Sequence, residues 1–467
     1  MASKKRRSGR PKAPRQGISG NPQRRAEQLA QRRLAEQDLS PLRELAYALA
    51  GGADPSPWWA GSHQRILAAA RALTWPSRLV DLETQACRVV GDEFYDRFTS
   101  EQGGLHASQW LRTLAEEIGA ALRASVDDGT GDWPQLWALL RGLVLTVPPG
   151  EPDSKTAQLA RESFPDIKDP YETVLAEAAR AVKLLADRGL AADPRLPAGG
   201  ARPVGDPLVA CDTYGSRFLL AAPFGYDGDE VDHWYAWDID ACWILNVVAA
   251  GVFESAPGAL AEWQHAVGPA AGTDLSPCPP ELTARLLGDC LQTGPMAEML
   301  EGSEPRELIR EYYRFRRRAR ALVPFADAPA AAPSPGTDED APVREAFLNW
   351  YSARHDDISP GMDETVGTIA WEWGPSAQLG ERSRYACSPH RIEMTARLIR
   401  DSYYPDHANE ALQLLPEWTQ WCIEQTSLPP DFAARSRAAA LTEAATLVDE
   451  EKRHRVQPAD PPYRRPE

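Results

Sequence analysis

Residues 169–189 read DPYETVLAEAARAVKLLADRG, and this stretch decides the fold class. Asp169 opens a capping box with Glu172, Pro170 takes the first helical position, and Gly189 supplies the stop, so the segment is a helix. The same signals recur on either side. Upstream, helices are expected around 63–73, 82–98, 107–126 and 134–146, with Leu111, Leu114, Ile118 and Leu122 at helical spacing. A polar helix from Pro22 and another from Ser40-Pro41 to Gly51-Gly52 precede them. Downstream, helices are expected near 280–292, 304–322, 343–353, 391–402, 408–425 and 431–450. Only residues 208–240 change texture. Val209–Thr213 and Arg217–Pro223 flank Tyr214-Gly215-Ser216 as a hairpin, and His233–Asp238 makes a third strand. The apolar stretch from Ala241 is expected to return to helix. The fold class is therefore mainly α and multi-domain, with a small β-hairpin or three-strand element around 208–240.

At 467 residues the chain exceeds what one core fills, and roughly two to four domains are expected. Composition suggests a basic arm with a polar helix at 1–37, a Trp-rich helical domain at 38–150, and an α+β middle domain at 151–323. The Pro/Ala/acidic linker PFADAPAAAPSPGTDEDAP spans 324–342, followed by a C-terminal helical domain at 343–450 and a tail at 451–467. No repeat of solenoid length is evident. The longest mainly apolar stretch, Ala241–Phe253, is too short for a bilayer, which needs about 18 residues, so no membrane partner is expected. No apolar segment follows the basic start, which therefore reads as no secretory signal. Seven scattered cysteines (87, 211, 242, 278, 290, 387, 422), without a C-x-x-C pair, suit reduced thiols in a cytoplasm.

Charge is divided unevenly. The chain carries −16, yet residues 1–34 hold eleven Lys/Arg against Glu27 alone, a net of +10, which leaves −26 on the remainder. An acidic body repels polyanions while a basic arm attracts them, and each acts within a Debye length of ~8–10 Å. Both tendencies coexist when the arm extends away from the body. Lys4, Lys5, Arg6, Arg7, Arg10 and Lys12 would neutralise phosphates, and Arg24, Arg25, Arg32 and Arg33 would continue the row along a helix. Gly9-Arg10-Pro11, flanked by basic residues, resembles an AT-hook, whose extended core lies in a narrow A·T minor groove. A second basic row lies in LIREYYRFRRRARAL. Leu308, Tyr312, Phe315, Ala319 and Leu322 form an apolar face, and Arg310, Arg314 and Arg317 lie opposite, beside Arg318. Exposed, that row would fork onto phosphates or acidic side chains; alternatively it is a solvated face paired with Glu304, Glu307 and Glu311 or with the acidic linker just downstream.

The main candidate for enzymatic chemistry is the acidic segment from Asp227 to Asp240. Asp238 and Asp240 share a strand face and would hold a divalent ion, with His233 adding a nitrogen ligand. The competing structural reading makes DGDE a turn and Asp240 the N-cap of a following helix. An EF-hand loop from Asp227 would need Glu where Asp238 stands. Cys387 and His390 are spaced as a thiol–imidazole pair or half a zinc site, against the alternative of a packed Cys beside a helix start at Ser388-Pro389. The Trp pairs 133/137, 371/373 and 418/421 read as core. Phosphate-binding, dinucleotide, serine-hydrolase and zincin signatures are missing from the sequence, and no cofactor is expected.

Cys387–Glu393 (CSPHRIE), Leu415–Trp421 (LPEWTQW) and Ser427–Pro430 (SLPP) together resemble a recurring C-terminal module of uncharacterised actinobacterial proteins, and GISGNPQRRAEQLAQRR resembles openings found in the same group. The resemblance implies a cytoplasmic bacterial protein and transfers no catalytic residue. The sequence thus favours a non-enzymatic accessory protein, with an acidic helical body docking a protein partner and a basic arm holding DNA or rRNA. A metal-dependent hydrolase or nuclease using Asp238, Asp240 and His233 is the rival. A protein-interaction module without nucleic acid is a third reading.

Overall fold

The computed structural model describes residues 56–98, 107–149, 170–190, 200–226, 228–242, 245–292, 305–323, 341–355, 361–374 and 381–446, with isolated positions 359, 379 and 448. It is mainly helical, with fourteen helices and one small antiparallel sheet among the described residues. The basic arm at 1–37 and the linker at 324–340 lie outside the described residues.

Helices α1 (Ser56–Ala72), α2 (Leu79–Phe98), α3 (Ala107–Asp128), α4 (Trp133–Thr146) and α5 (Pro170–Asp187) share one core. The expected stripe of Leu111, Leu114, Ile118 and Leu122 is fully buried, together with Trp110, Leu140 and Val174. Apolar side chains at three- and four-residue intervals leave water as one face, which is why these helices pack as they do. The helix expected from 169–189 is α5, and Gly189 closes it at φ 64°, a left-handed conformation that glycine adopts without a Cβ penalty.

The sheet follows: β1 (Arg202–Pro203), β2 (Leu208–Cys211), β3 (Arg217–Gly225), β4 (His233–Asp240), β5 (Asn246–Phe253) and β6 (Ser276–Pro277). The order is β5-β4-β3-β2-β6, with β1 beside β3, and every pairing is antiparallel. The hairpin at Tyr214-Gly215-Ser216 is present. Asp212 fixes its turn by accepting from the backbone N–H groups of Ser216 (2.7 Å) and Arg217 (3.0 Å). The sheet is larger than the three strands expected, and where a helix was expected from Ala241 the described residues form strand β5. Its run of Val247, Val248 and Val252 suits a strand, and a short apolar run carries no periodicity to separate the two states. The helix begins later, at α6 (Ala256–Val267), where the Ser255 hydroxyl accepts from the Gly258 N–H.

Alternation in β3 and β4 creates two apolar faces. Phe218, Leu220, Phe224, Tyr235, Trp237 and Ile239 pack towards α8 (Pro305–Leu322) and α7 (Pro280–Gln292); Leu219, Ala221 and Ala236 pack towards Trp263 of α6. Helix α8 has its second face on α2. That crossing is close: a Cβ added to Gly91 would stand 2.4 Å from the Arg310 Cα. Gly91→Ala should therefore prise the helices apart at a cost of about 1–3 kcal/mol. Urea denaturation checks this, and an unchanged midpoint would mean that α2 and α8 do not meet there.

The remaining helices are α9 (Ala341–Ser352), α10 (Met362–Glu372), the single turn α11 (Glu381–Arg384), α12 (Pro389–Ser402), α13 (Pro405–Thr426) and α14 (Pro430–Ala445). They enclose their own core of Phe347, Trp373, Trp418, Trp421 and Tyr403. Trp418 and Trp421 meet edge-to-face at 5.0 Å, as core aromatics. No helix among the described residues is long and apolar enough to cross a membrane.

Candidate functional site

Three arginines of the row on α8, Arg314, Arg317 and Arg318, are internal. Arg314 is buried, donating from Nε to Glu311 (2.7 Å) and from Nη1 to Thr84 (2.8 Å). Arg318, equally buried, reaches Glu83 of α2 at 2.6 Å. Arg317 donates to the carbonyls of Val144 (2.8 Å) and Val147, closing the C-terminus of α4. Arg310 and Arg306 converge on Asp92. The exposed face expected for Arg314 and Arg317 is thus corrected, while Arg310 is half-buried; the alternative pairing with the helix's own acids is present at Arg310–Glu307 and Arg314–Glu311. Helix amphipathicity records which face is polar, not whether water or protein covers it. Arg314 and Arg317 are spent on the fold and are not presented to phosphate. Lys4, Lys5, Arg6, Arg7, Arg10, Lys12, Arg24, Arg25, Arg32 and Arg33 lie outside the described residues.

The structure does not gather Asp238, Asp240 and His233. His233 points to the α8 face of the sheet and the two aspartates to the α6 face, because odd and even positions of a strand alternate. His233 and Asp240 also stand at opposite ends of β4, roughly 23 Å apart at ~3.3 Å per residue. Asp238 is held by Arg217, which forks onto it at 2.8 and 2.6 Å, and by the indole N–H of Trp263 at 3.0 Å. It has no role as a cap. Nor does Asp240 cap a helix: its Oδ1 accepts the Cys242 N–H at 2.6 Å, pinning the turn after β4.

His233 is buried between the rings of Phe224 and Tyr226, close to Arg318, and neither ring nitrogen has a hydrogen-bond partner among the described residues. Burial, with the Arg318 and Arg314 cations adding to it, pulls its pKa down to about 3. The unfolded chain binds this proton near pH 6.5, so the folding free energy is fully retained above that pH and declines as the pH falls towards 3. His233→Phe should remove this acid limb and gain on the order of 1–2 kcal/mol relative to wild type at pH 5, with little change at pH 8. Denaturation curves at the two pH values check it; a parallel loss in both proteins would refute the assignment.

A different cluster forms at the end of β4. His390, in the first turn of α12, brings Nε2 to 3.1 Å from Asp240 Oδ2. Cys242 Sγ joins them: the thiol, carboxylate and imidazole ligand atoms all lie within 4.8 Å of one another. Ser388 N-caps α12 by accepting the Arg391 N–H, and its hydroxyl stands 3.5 Å from Cys242 Sγ. Burial raises the Asp240 pKa, but the His390 bond and the Cys242 N–H outweigh it and hold the carboxyl below its usual range. The Asp240 hydrogen bond in turn raises the His390 pKa against a smaller effect of burial. Burial pushes the Cys242 thiol well up, so it is no activated nucleophile. His390 is 41% exposed, and Asp240 and Cys242 are buried.

Cys387 does not join His390 in this cluster. It is a packed thiol beneath α14, whose Ser436 hydroxyl donates to the Cys387 carbonyl at 2.6 Å. The partner of His390 is 150 residues upstream by sequence position, on another element. Asp240 and Cys242 carry no spacing signal toward α12, so only the tertiary fold could disclose the trio. No protein-family model, curated protein or solved structure matches this chain.

Proposed function

We propose that the protein is a non-enzymatic cytoplasmic accessory protein whose basic N-terminal arm holds nucleic acid while its acidic helical body docks a protein partner. One observation carries this reading: +10 is concentrated in residues 1–34 of a chain whose remainder is −26. The internal engagement of Arg314, Arg317 and Arg318, on Glu311, two backbone carbonyls and Glu83, supports it, since these buried arginines are committed within the fold. The arm is then the part of the chain equipped to release counterions from phosphates. Free cysteines among the described residues suit a reducing compartment.

The test uses the full chain and a variant with Lys4, Lys5, Arg6, Arg7, Arg10 and Lys12 changed to Gln. Gel-shift assays against duplex DNA and structured RNA should show affinity falling about tenfold or more in the variant at low salt. Equal binding by both proteins, or binding by neither, defeats the proposal. Nuclease treatment before a pull-down separates the docking partner, whose association should persist, from proteins bridged by nucleic acid.

A further inference from the structure

Asp240, Cys242 and His390 offer an oxygen, a sulfur and a nitrogen from two elements separate in sequence, with their ligand atoms within 4.8 Å of one another. Around a tetrahedral zinc ion, with bonds of about 2.0–2.3 Å, such atoms stand about 3.3–3.6 Å apart. The Asp240–His390 separation of 3.1 Å already falls near that value, so bringing Cys242 into coordination requires closure of roughly an ångström. A mixed imidazole, thiolate and carboxylate set favours borderline ions over Mg²⁺ or Ca²⁺, which take oxygen.

The surroundings are built for such a set. Asp240 is oriented through its other oxygen by the Cys242 N–H at 2.6 Å, and Ser388 stands beside the sulfur at 3.5 Å. Thiolate and carboxylate together carry the two negative charges that match a divalent ion. The neighbouring cations are already committed: Arg217 forks onto Asp238, and Arg391 is bonded to the carbonyls of Trp373, Ser383 and Ala386. A nucleophilic thiol would need access to substrate, whereas a ligand thiol does not, and Cys242 is buried.

We infer that Asp240, Cys242 and His390 bind a zinc-type divalent ion that fastens the end of β4 to the first turn of α12. The ion replaces the thiol proton of Cys242, which passes to solvent. It also replaces the Nε2 proton that His390 donates to Asp240, which passes to solvent from a cationic ring or is replaced by one at Nδ1 in a neutral ring; water completes the coordination. This site is independent of the arm and its nucleic acid.

Full-length protein stripped with chelator and reloaded with Co²⁺ tests the inference. Wild type should bind about one ion per chain and show a thiolate-to-cobalt charge-transfer band with tetrahedral visible bands. Cys242→Ser should abolish the charge-transfer band, and His390→Gln, at a partly exposed position, should lower affinity at least about tenfold. Cys278→Ser, a thiol outside the cluster, should retain the full spectrum. A wild-type protein without the band overturns the inference, as does a band that survives Cys242→Ser. Should Cys242→Ser fail to fold, undiminished cobalt affinity in His390→Gln overturns it equally.

Discussion

Glu83→Ala should destabilise the protein by about 3–5 kcal/mol. Glu83 and Arg318 are fully buried and meet at 2.6 Å, with Arg314 at 4.0 Å from the same carboxylate. Removing the anion strands the Arg318 guanidinium beside the rings of Phe224 and Tyr226 and takes a second carboxylate from Arg314, which lies over Tyr235. Arg314 retains Glu311, but among the described residues Arg318 keeps only one long hydrogen bond, to the Ala201 carbonyl at 3.4 Å. The penalty comes from the unpaired buried charge, not from an intrinsic strength of the pair. Glu83→Leu combined with Arg318→Met should therefore cost clearly less than Glu83→Leu alone, a coupling that a double-mutant cycle measures. A loss under about 1 kcal/mol for Glu83→Ala would show that water reaches this junction.

Arg391→Ala should be comparably damaging, at about 3–5 kcal/mol, and should loosen the C-terminal helices first. The Arg391 guanidinium is buried and donates to Trp373 O at 2.9 and 2.5 Å, to Ser383 O at 2.6 Å and to Ala386 O at 3.2 Å. These are carbonyls at the ends of α10 and α11, so one side chain closes two helix termini. Burial lowers the Arg391 pKa to about 10, which still leaves it cationic at neutral pH. Arg391→Lys keeps the charge but cannot fork to three carbonyls, and should recover only part of the loss. Tryptophan fluorescence during urea unfolding reads it directly, since the Trp373 ring lies 5.0 Å from the guanidinium. Full recovery by lysine would mean that charge, and not bond geometry, is what the site requires.

The sequence disclosed the elements whose signals are local. Ser388-Pro389 announced α12, Tyr214-Gly215-Ser216 the hairpin, and Leu111, Leu114, Ile118 and Leu122 the buried face of α3. Elements buried on all sides were not legible. In α10, Thr365 to Ala370 are buried continuously, and Thr365, Val366, Thr368 and Ile369 are weak helix formers, so neither amphipathicity nor propensity marked a helix. Strand β5, only partly buried at the edge of the sheet, was hidden for a different reason: its continuous apolar run has no alternation to mark a strand. At the site, strand parity was usable but incomplete: it placed Asp238 and Asp240 together, and counting one step further excludes His233 from their face. The approach of His390 to Asp240 depends on how the C-terminal helices sit on the sheet, which no local pattern encodes. Polarity on α8 was read correctly as a row of arginines, with Glu307 and Glu311 as local partners, while the other acids that meet it, Glu83 and Asp92, lie more than two hundred residues earlier.

The most direct measurement of the central claim is the salt dependence of duplex DNA binding by full-length protein, followed by fluorescence anisotropy. Each phosphate neutralised contributes about −0.9 to the slope of log K against log salt. Wild type should show a steep negative slope, and changing Lys4, Lys5, Arg6, Arg7, Arg10 and Lys12 to Gln should flatten it by up to about 5. Identical slopes for the two proteins, or a wild-type affinity indifferent to salt, would contradict the assignment of polyanion binding to the arm.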